Sequence, residues 1–153
     1  MRQPTLPTPS IWSIGSSERS LGRRWRRTLA ANPSIADIYT LRRLRDGSVY
    51  LCVDSETDYN RNGVIDEERE QRTSHGEAYT ESSVELAEAF EGFANFNSEP
   101  YTDRWGTWVS AQQPMFGPDG KVEAVLGIDF DATVWVREID SARRSVILYM
   151  AGL

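Results

Sequence analysis

Alternating apolar and polar residues mark two β-ribbons in this chain, and helical spacing marks the segments that flank them. Ile38 to Arg45 and Ser48 to Val53 are β-rich runs on either side of Asp46-Gly47, a pairing that predicts a hairpin because Gly tolerates the positive φ of a tight turn. Within the second run Val49, Leu51 and Val53 should share one face, and Tyr50 and Cys52 the other. Thr107 to Met115 and Lys121 to Phe130, joined by Gly117-Pro118-Asp119-Gly120, predict a second hairpin. There Val122, Ala124, Leu126, Ile128 and Phe130 alternate onto one face. Glu18 to Ala31 reads as an amphipathic helix stopped by Asn32-Pro33. After the second hairpin Asp131 is placed to cap a closing helix that carries Ala132, Val136, Ile139, Ala142, Val146 and Met150 at helical spacing.

Between the hairpins lies a long excursion, about residues 54–106. It shows one clear helix, with Ser82 and Glu85 as a capping box and Leu86, Ala89, Phe90 and Phe93 as its apolar stripe. The rest reads as loop, and loops this long in a compact domain usually carry function. The order predicts an α+β fold with one antiparallel sheet, helices on one face and the excursion across the other. A pocket between sheet and excursion is the natural ligand site.

Composition narrows the picture. With 153 residues, 39% of them hydrophobic, the chain fits one domain with a true core. The net charge of −6 argues against a dedicated nucleic-acid binder. A single cysteine, Cys52, leaves no disulfide framework, and a single histidine, His75, leaves no His-pair metal motif. Residues 1–45 hold nine Arg against two acids, while residues 46–100 hold fourteen acids against three Arg. The Arg23–Arg27 cluster around Trp25 has two readings, attraction to anionic lipid or nucleic acid and the solvated face of a helix. Such runs usually face water, so the second is expected.

Residues 1–17 hold three prolines and read as a flexible leader, residues 18–145 as the domain, and residues 146–153 as a wholly apolar end. That end is either the close of the last helix or the start of a membrane helix; no run of about 18 apolar residues exists in the chain to make a whole span.

Two stretches have candidate chemistry. Asp58, Asn60, Asn62, Gly63, Ile65 and Asp66 match positions 1, 3, 5, 6, 8 and 9 of an EF-hand loop, with Val64 at the seventh position, where that loop uses a backbone carbonyl. A hard cation such as Ca²⁺ needs this convergence of oxygens. The twelfth position, normally a bidentate Glu, is Arg69; Glu68 or Glu70 could replace it only with a shift of the backbone. The alternative is an Asx-rich turn. The second stretch is Tyr101-Thr102-Asp103-Arg104-Trp105-Gly106-Thr107-Trp108. Aromatic walls with an Arg that clamps a carboxylate suit a small polar ligand; an internal Asp103–Arg104 pair with core tryptophans is the alternative. His75 reads as a surface loop residue beside Gly76-Glu77-Ala78-Tyr79, and no activated nucleophile is visible, so an enzyme is not expected.

Gly76-Glu77-Ala78-Tyr79, Tyr101 to Ala111, Pro114, Asp119-Gly120, Ala124 to Asp129 and Asp131-Ala132 occur in an order that resembles the extracytoplasmic Cache-type (PAS-like) sensor region of bacterial membrane receptors. The likeness covers about residues 20–145. His75 departs from the pattern, and the Asp58–Asp66 loop is richer in oxygen ligands than it requires. The resemblance implies a PAS-like antiparallel sheet of about five strands, a long N-terminal helix, crossover loops roofing a pocket and a C-terminal helix. It implies a small-molecule ligand held by Tyr79, Tyr101, Asp103, Arg104, Trp105 and Trp108, a homodimer in the full receptor, and a histidine kinase or diguanylate cyclase output module. It also implies a periplasmic setting, against the alternative of a soluble cytoplasmic protein, with the apolar end leading to the membrane. A calcium-dependent structural or interaction module built on residues 58–69 is the competing function.

Overall fold

A computed structural model of the protein describes residues 17–55, 57–60, 62–65, 70, 76–81, 83–103 and 105–152. The elements run α1 (Ser17–Ala31), β1 (Ile35–Arg43), β2 (Val49–Asp54), β3 (Ala78–Tyr79), α2 (Val84–Phe90), β4 (Asn95–Thr102), β5 (Thr107–Phe116), β6 (Val122–Asp131) and α3 (Ala132–Ala151). The expected leader, apart from Ser17, lies outside the described residues, as do His75, Ser82, Asp66 and Arg104.

Both hairpins form where glycine allows the turn. Gly47 has φ +87° and Gly120 φ +75°, and β1 pairs with β2 and β5 with β6, both antiparallel. The first strand of β-rich sequence begins three residues earlier than expected, at Ile35. All strands join one antiparallel sheet in the order β3-β2-β1-β6-β5-β4. This is the expected α+β architecture built on one antiparallel sheet, five strands with the two-residue β3 added at one edge. α1 packs on β1 and β2 and α3 on β5 and β6, while α2 lies over β4, β5 and β6. The core beneath α2 joins Leu86, Ala89 and Phe90 to Tyr39, Leu41, Leu51 and Val125. On the face that carries α3, Phe96, Phe130 and Trp135 form an edge-packed aromatic cluster with centroids 5.2–6.3 Å apart.

Four sequence expectations need correction. The excursion is not all loop beyond its helix: Asn95–Thr102 is β4, an edge strand whose register shifts between Asn97 and Tyr101. Asn, Ser and Pro100 disguise it, and proline is tolerated there because an edge strand has one unpaired side. The N-cap of α2 is Ser83, whose Oγ accepts from Leu86 N at 3.1 Å, and Phe93 lies beyond the helix, 67% exposed. Gly92, at φ +99°, ends that helix by a conformation that breaks the apolar stripe.

Val53 does not share a face with Leu51. Thr40 pairs with Val53 but Leu41 with Leu51, so Cys52 is the extra residue of a bulge. The bulge sends Cys52 and Val53 together under α1 and turns Asp54 to the other face, opposite Tyr39. The fourth correction concerns β6. The alternating apolar set lies toward α1 and α3, yet the deeper positions are its neighbours: Val125 is 0% and Asp129 5% exposed. Val122 packs against the core under α2 instead, after a register shift at Phe116.

Gly127 explains how a tyrosine fits on that deeper face. A Cβ built there would lie 2.3 Å from Tyr39 Cζ, so the phenol ring rests on bare backbone. Gly127→Ala should therefore cost about 1–3 kcal/mol by overpacking, measured by urea denaturation, although Gly→Ala in a strand is otherwise favourable. An alanine variant as stable as the parent would contradict this packing.

Candidate functional site

The face under the excursion collects carboxyl groups. Asp37, Tyr39 and Leu41 alternate along β1 onto it, and Asp129 stands opposite Asp37 on β6. The bulge in β2 adds Asp54, and the three acids line one cavity. Residues of the excursion close over Asp37. Its Oδ1 accepts from Ile38 N (2.8 Å), Thr57 Oγ1 (3.0 Å) and Ser55 Oγ. Its Oδ2 accepts from Tyr59 Oη at 3.3 Å. Asp129 Oδ1 accepts from Tyr39 Oη at 3.3 Å and from Ser110 Oγ, which lies 3.1 Å from Tyr101 Oη.

These donors are neutral, and their number does not offset desolvation. Burial, and then the charge of Asp54, push Asp37 up from 3.8 to about 7 against the opposing hydrogen bonds of Ser55, Thr57 and Ile38 N. Burial also drives Asp129 well above the carboxylate range, with Asp37 and Asp103 adding to it and Ser110 and Tyr39 opposing. The phenols of Tyr39, Tyr59, Tyr79 and Tyr101 are raised by burial first, then by neighbouring carboxylates for Tyr39, Tyr59 and Tyr101 and by the Tyr101 phenol ahead of Asp129 for Tyr79, so all four remain protonated.

The turn from Asp103 to Gly106 forms the rim. Asp103 Oδ1 accepts from Trp105 N (2.8 Å), Gly106 N (2.9 Å) and Trp108 Nε1 (2.9 Å), and Asp103 N donates to Gly106 O (2.9 Å). Gly106 is required here, because a Cβ would stand 2.5 Å from the Trp108 ring. The indole of Trp108 is 1% exposed and stacks on Tyr59 at 5.4 Å. Trp105 is half-buried and lines the cavity.

The structure thus distributes the sequence-predicted set. Tyr79, Asp103 and Trp105 line the cavity. Tyr101 stands behind it through Ser110, and Trp108 is packing that ties Tyr59 to the turn. Arg104 lies outside the described residues. The cavity is about 20 Å³, room for one water molecule. A wider groove of about 540 Å³ lies between α1 and the 57–65 loop, lined by Arg26, Thr57 and Asp58 among others.

No protein-family model and no curated protein matches the chain. Solved structures similar to it include the sensory domain of the Campylobacter jejuni chemoreceptor Tlp3 (CcmL), at TM-score 0.43 and 14% identity, covering 83% of this chain and 46% of that one. The ligand-binding domain of the same receptor in complex with L-valine gives the same values. Its complex with 4-methylisoleucine gives TM-score 0.42, with 44% of that chain covered. The chain spans under half the length of these neighbours.

Asp37, Tyr39, Asp54, Tyr59 and Asp129 are site groups that the sequence did not single out. Asp37 sits before the apolar part of its strand, and only the bulge at Cys52 brings Asp54 inward. Gly127 beside Asp129 was the available signal, since a strand glycine often marks close approach from another group.

The 58–65 loop is ordered by its own side chains. Asp58 accepts from Asn62 N (3.2 Å) and Gly63 N (2.7 Å), Asn60 Oδ1 from Asn62 N (2.8 Å), and Asn62 Oδ1 from Val64 N (2.7 Å). Glu70, 3% exposed, accepts from Asn60 N at 3.1 Å. Among the described residues no three His, Cys, Asp or Glu groups cluster to hold a metal.

Proposed function

We propose that this chain is a non-catalytic sensor domain that binds a small ligand through an ammonium group. One observation supports this above all: Asp37 and Asp129 line one small cavity with Tyr39, Tyr79 and Trp105, and among the described residues neutral donors hydrogen-bond to both. Desolvated carboxylates held by neutral donors alone are unfavourable, and a cation entering between them relieves that cost. Trp105 and Tyr79 supply aromatic walls suited to a cation. The Arg104 of the rim, read from the sequence, would clamp a carboxylate at the ligand's other end, which makes an amino acid or a related zwitterion the favoured class. Because the cavity holds one water, binding must move the excursion or the 103–106 turn outward, and that displacement is the signal.

A panel of amino acids and simple amines, screened by thermal melting, tests the reading. A true ligand at a hundredfold its Kd adds about 2.7 kcal/mol, or roughly 5–10 °C at this chain length. Asp129→Asn should abolish the shift, and Arg104→Ala should weaken a carboxylate-bearing ligand by about 1.5–3 kcal/mol. Silence across the whole panel would remove the proposal.

The setting we propose is a longer membrane receptor with its sensor region outside the cytoplasm, dimeric when assembled, and a C-terminal kinase or cyclase output. The end of α3 supports it: Val146 to Met150 are 61–72% exposed although apolar. Among the described residues no helix is long and apolar enough to cross a membrane.

A second reading, calcium binding at residues 58–70, is favoured by Glu70. It stands one place beyond the expected twelfth ligand, yet it is buried against the loop through Asn60 N. With Asp58, Asn60, Asn62, the Val64 carbonyl and Asp66 it would complete an oxygen set of the kind Ca²⁺ takes. Millimolar calcium should then raise the melting temperature relative to chelator, by linkage; identical melts would eliminate it.

A further inference from the structure

On the sheet face opposite the acids, we propose a second and independent ligand site: a cavity beneath α1 that takes a short-chain aliphatic carboxylate, its tail against the sheet and its headgroup on Arg42.

The bulge at Cys52 builds this cavity. A regular strand would turn Cys52 and Val53 to opposite faces. With the bulge both lie under α1, beside Thr40 of β1. Ala124 and Leu126 of β6 supply the floor, and Met115 of β5, paired with Ala124, stands next to them. Most of these side chains are small, and α1 packs on β1 and β2 alone among the strands it meets extensively. It turns Leu21 and Trp25 to the cavity, and the space left is about 300 Å³. That is the lower end of the range that holds small molecules. At roughly 30 Å³ for a water-sized group, it has room for about ten non-hydrogen atoms, an alkyl carboxylate of about eight carbons. Leu21 is 37% and Met115 46% exposed, so a bound tail removes apolar surface from water.

Arg42 decides the other end of the ligand. It lines the cavity, whereas its ion-pair partner Glu123 does not. Arg42 Nη2 donates to Glu123 Oε1, and a guanidinium has five N–H donors in a fork that matches a carboxylate. The Glu123 side chain is 55% exposed, and exposed pairs are weak. A ligand carboxylate can therefore dock on the same guanidinium while Glu123 turns to solvent. A cationic group on a largely apolar wall is the complement of an alkyl carboxylate and opposes an alkylammonium.

Calorimetry of the full chain with sodium octanoate tests this, with 1-octanol and octylammonium chloride beside it. Affinity should rise about fourfold per added carbon from pentanoate to octanoate, the worth of a buried methylene, and level off in longer chains. Octanoate should bind about tenfold tighter than octanol, the scale of a charged hydrogen bond, and Arg42→Met should bring it down to the octanol level. Cys52, the only cysteine of the chain, locates the ligand: octanoate should slow its reaction with a disulfide reagent. Ala124→Leu fills the floor and should abolish both binding and protection. No binding of octanoate overturns the inference. So does binding that leaves Cys52 unprotected, that octylammonium matches, or that Arg42→Met retains in full. A dimer in sedimentation that Leu21→Asp splits would show a second copy of the chain covering this face, and overturns it as well.

Discussion

Raising the pH from about 4 to about 8 should destabilise this protein, and Asp37→Asn should remove much of the loss. A carboxyl whose folded-state pKa lies above its unfolded value binds extra protons when folded. Its contribution is complete below 3.8 and is lost as the pH climbs to about 7. That window is roughly three pH units; at about 1.4 kcal/mol for each, Asp37 alone accounts for on the order of 4 kcal/mol. Asn keeps an acceptor for Ile38 N, Ser55 and Thr57, and its amide can donate to Tyr59, so the variant should fold. Urea denaturation across the window should show a flatter profile for Asp37→Asn, with the variant more stable than the parent above neutrality. Asp129→Asn should act in the same direction, since burial raises that carboxyl too. A parent protein whose stability is level or rising from pH 5 to pH 8 would contradict the desolvated acid pair.

Asp103→Ala should cost about 2–4 kcal/mol, although the residue sits in a surface turn. One oxygen holds two backbone N–H groups and the indole N–H of Trp108. Truncation leaves that indole donor without its partner in a ring 1% exposed, and a buried donor stripped of its acceptor costs about 1–3 kcal/mol by itself. Loss of the turn adds the remainder and frees Trp105 from the cavity wall. Asp103→Asn keeps the acceptor and should restore most of the stability. The comparison is made by urea denaturation with tryptophan fluorescence. A loss below about 0.5 kcal/mol, the range of an ordinary surface change, would show that the turn holds without this carboxylate. Asp103 therefore acts on the site by positioning Trp105, a role its place in an aromatic, ligand-like motif did not disclose.

The sequence by itself determined the parts whose cause is local. Gly47 and Gly120 allow turns that few other residues adopt, so both hairpins were legible. Asp131 caps α3 through Thr133 N and Val134 N, as its place before the helical spacing foretells. The order of these elements was enough for an antiparallel sheet between helices. Strand β4 escaped because Asn, Ser and Pro carry turn propensities, and its strand state comes from pairing with β5, a partner that no local pattern reveals. The binding chemistry escaped for a related reason. Alternation assigns Asp54 to the face of Tyr50, and a single extra residue at Cys52 reverses it. Asp37 and Asp129 lie 92 positions apart, and only the β1–β6 register places them opposite one another. Sequence distance says nothing of that register. Tertiary pairing decided which acids meet, and their enclosure among tyrosines decided how tightly they hold a proton.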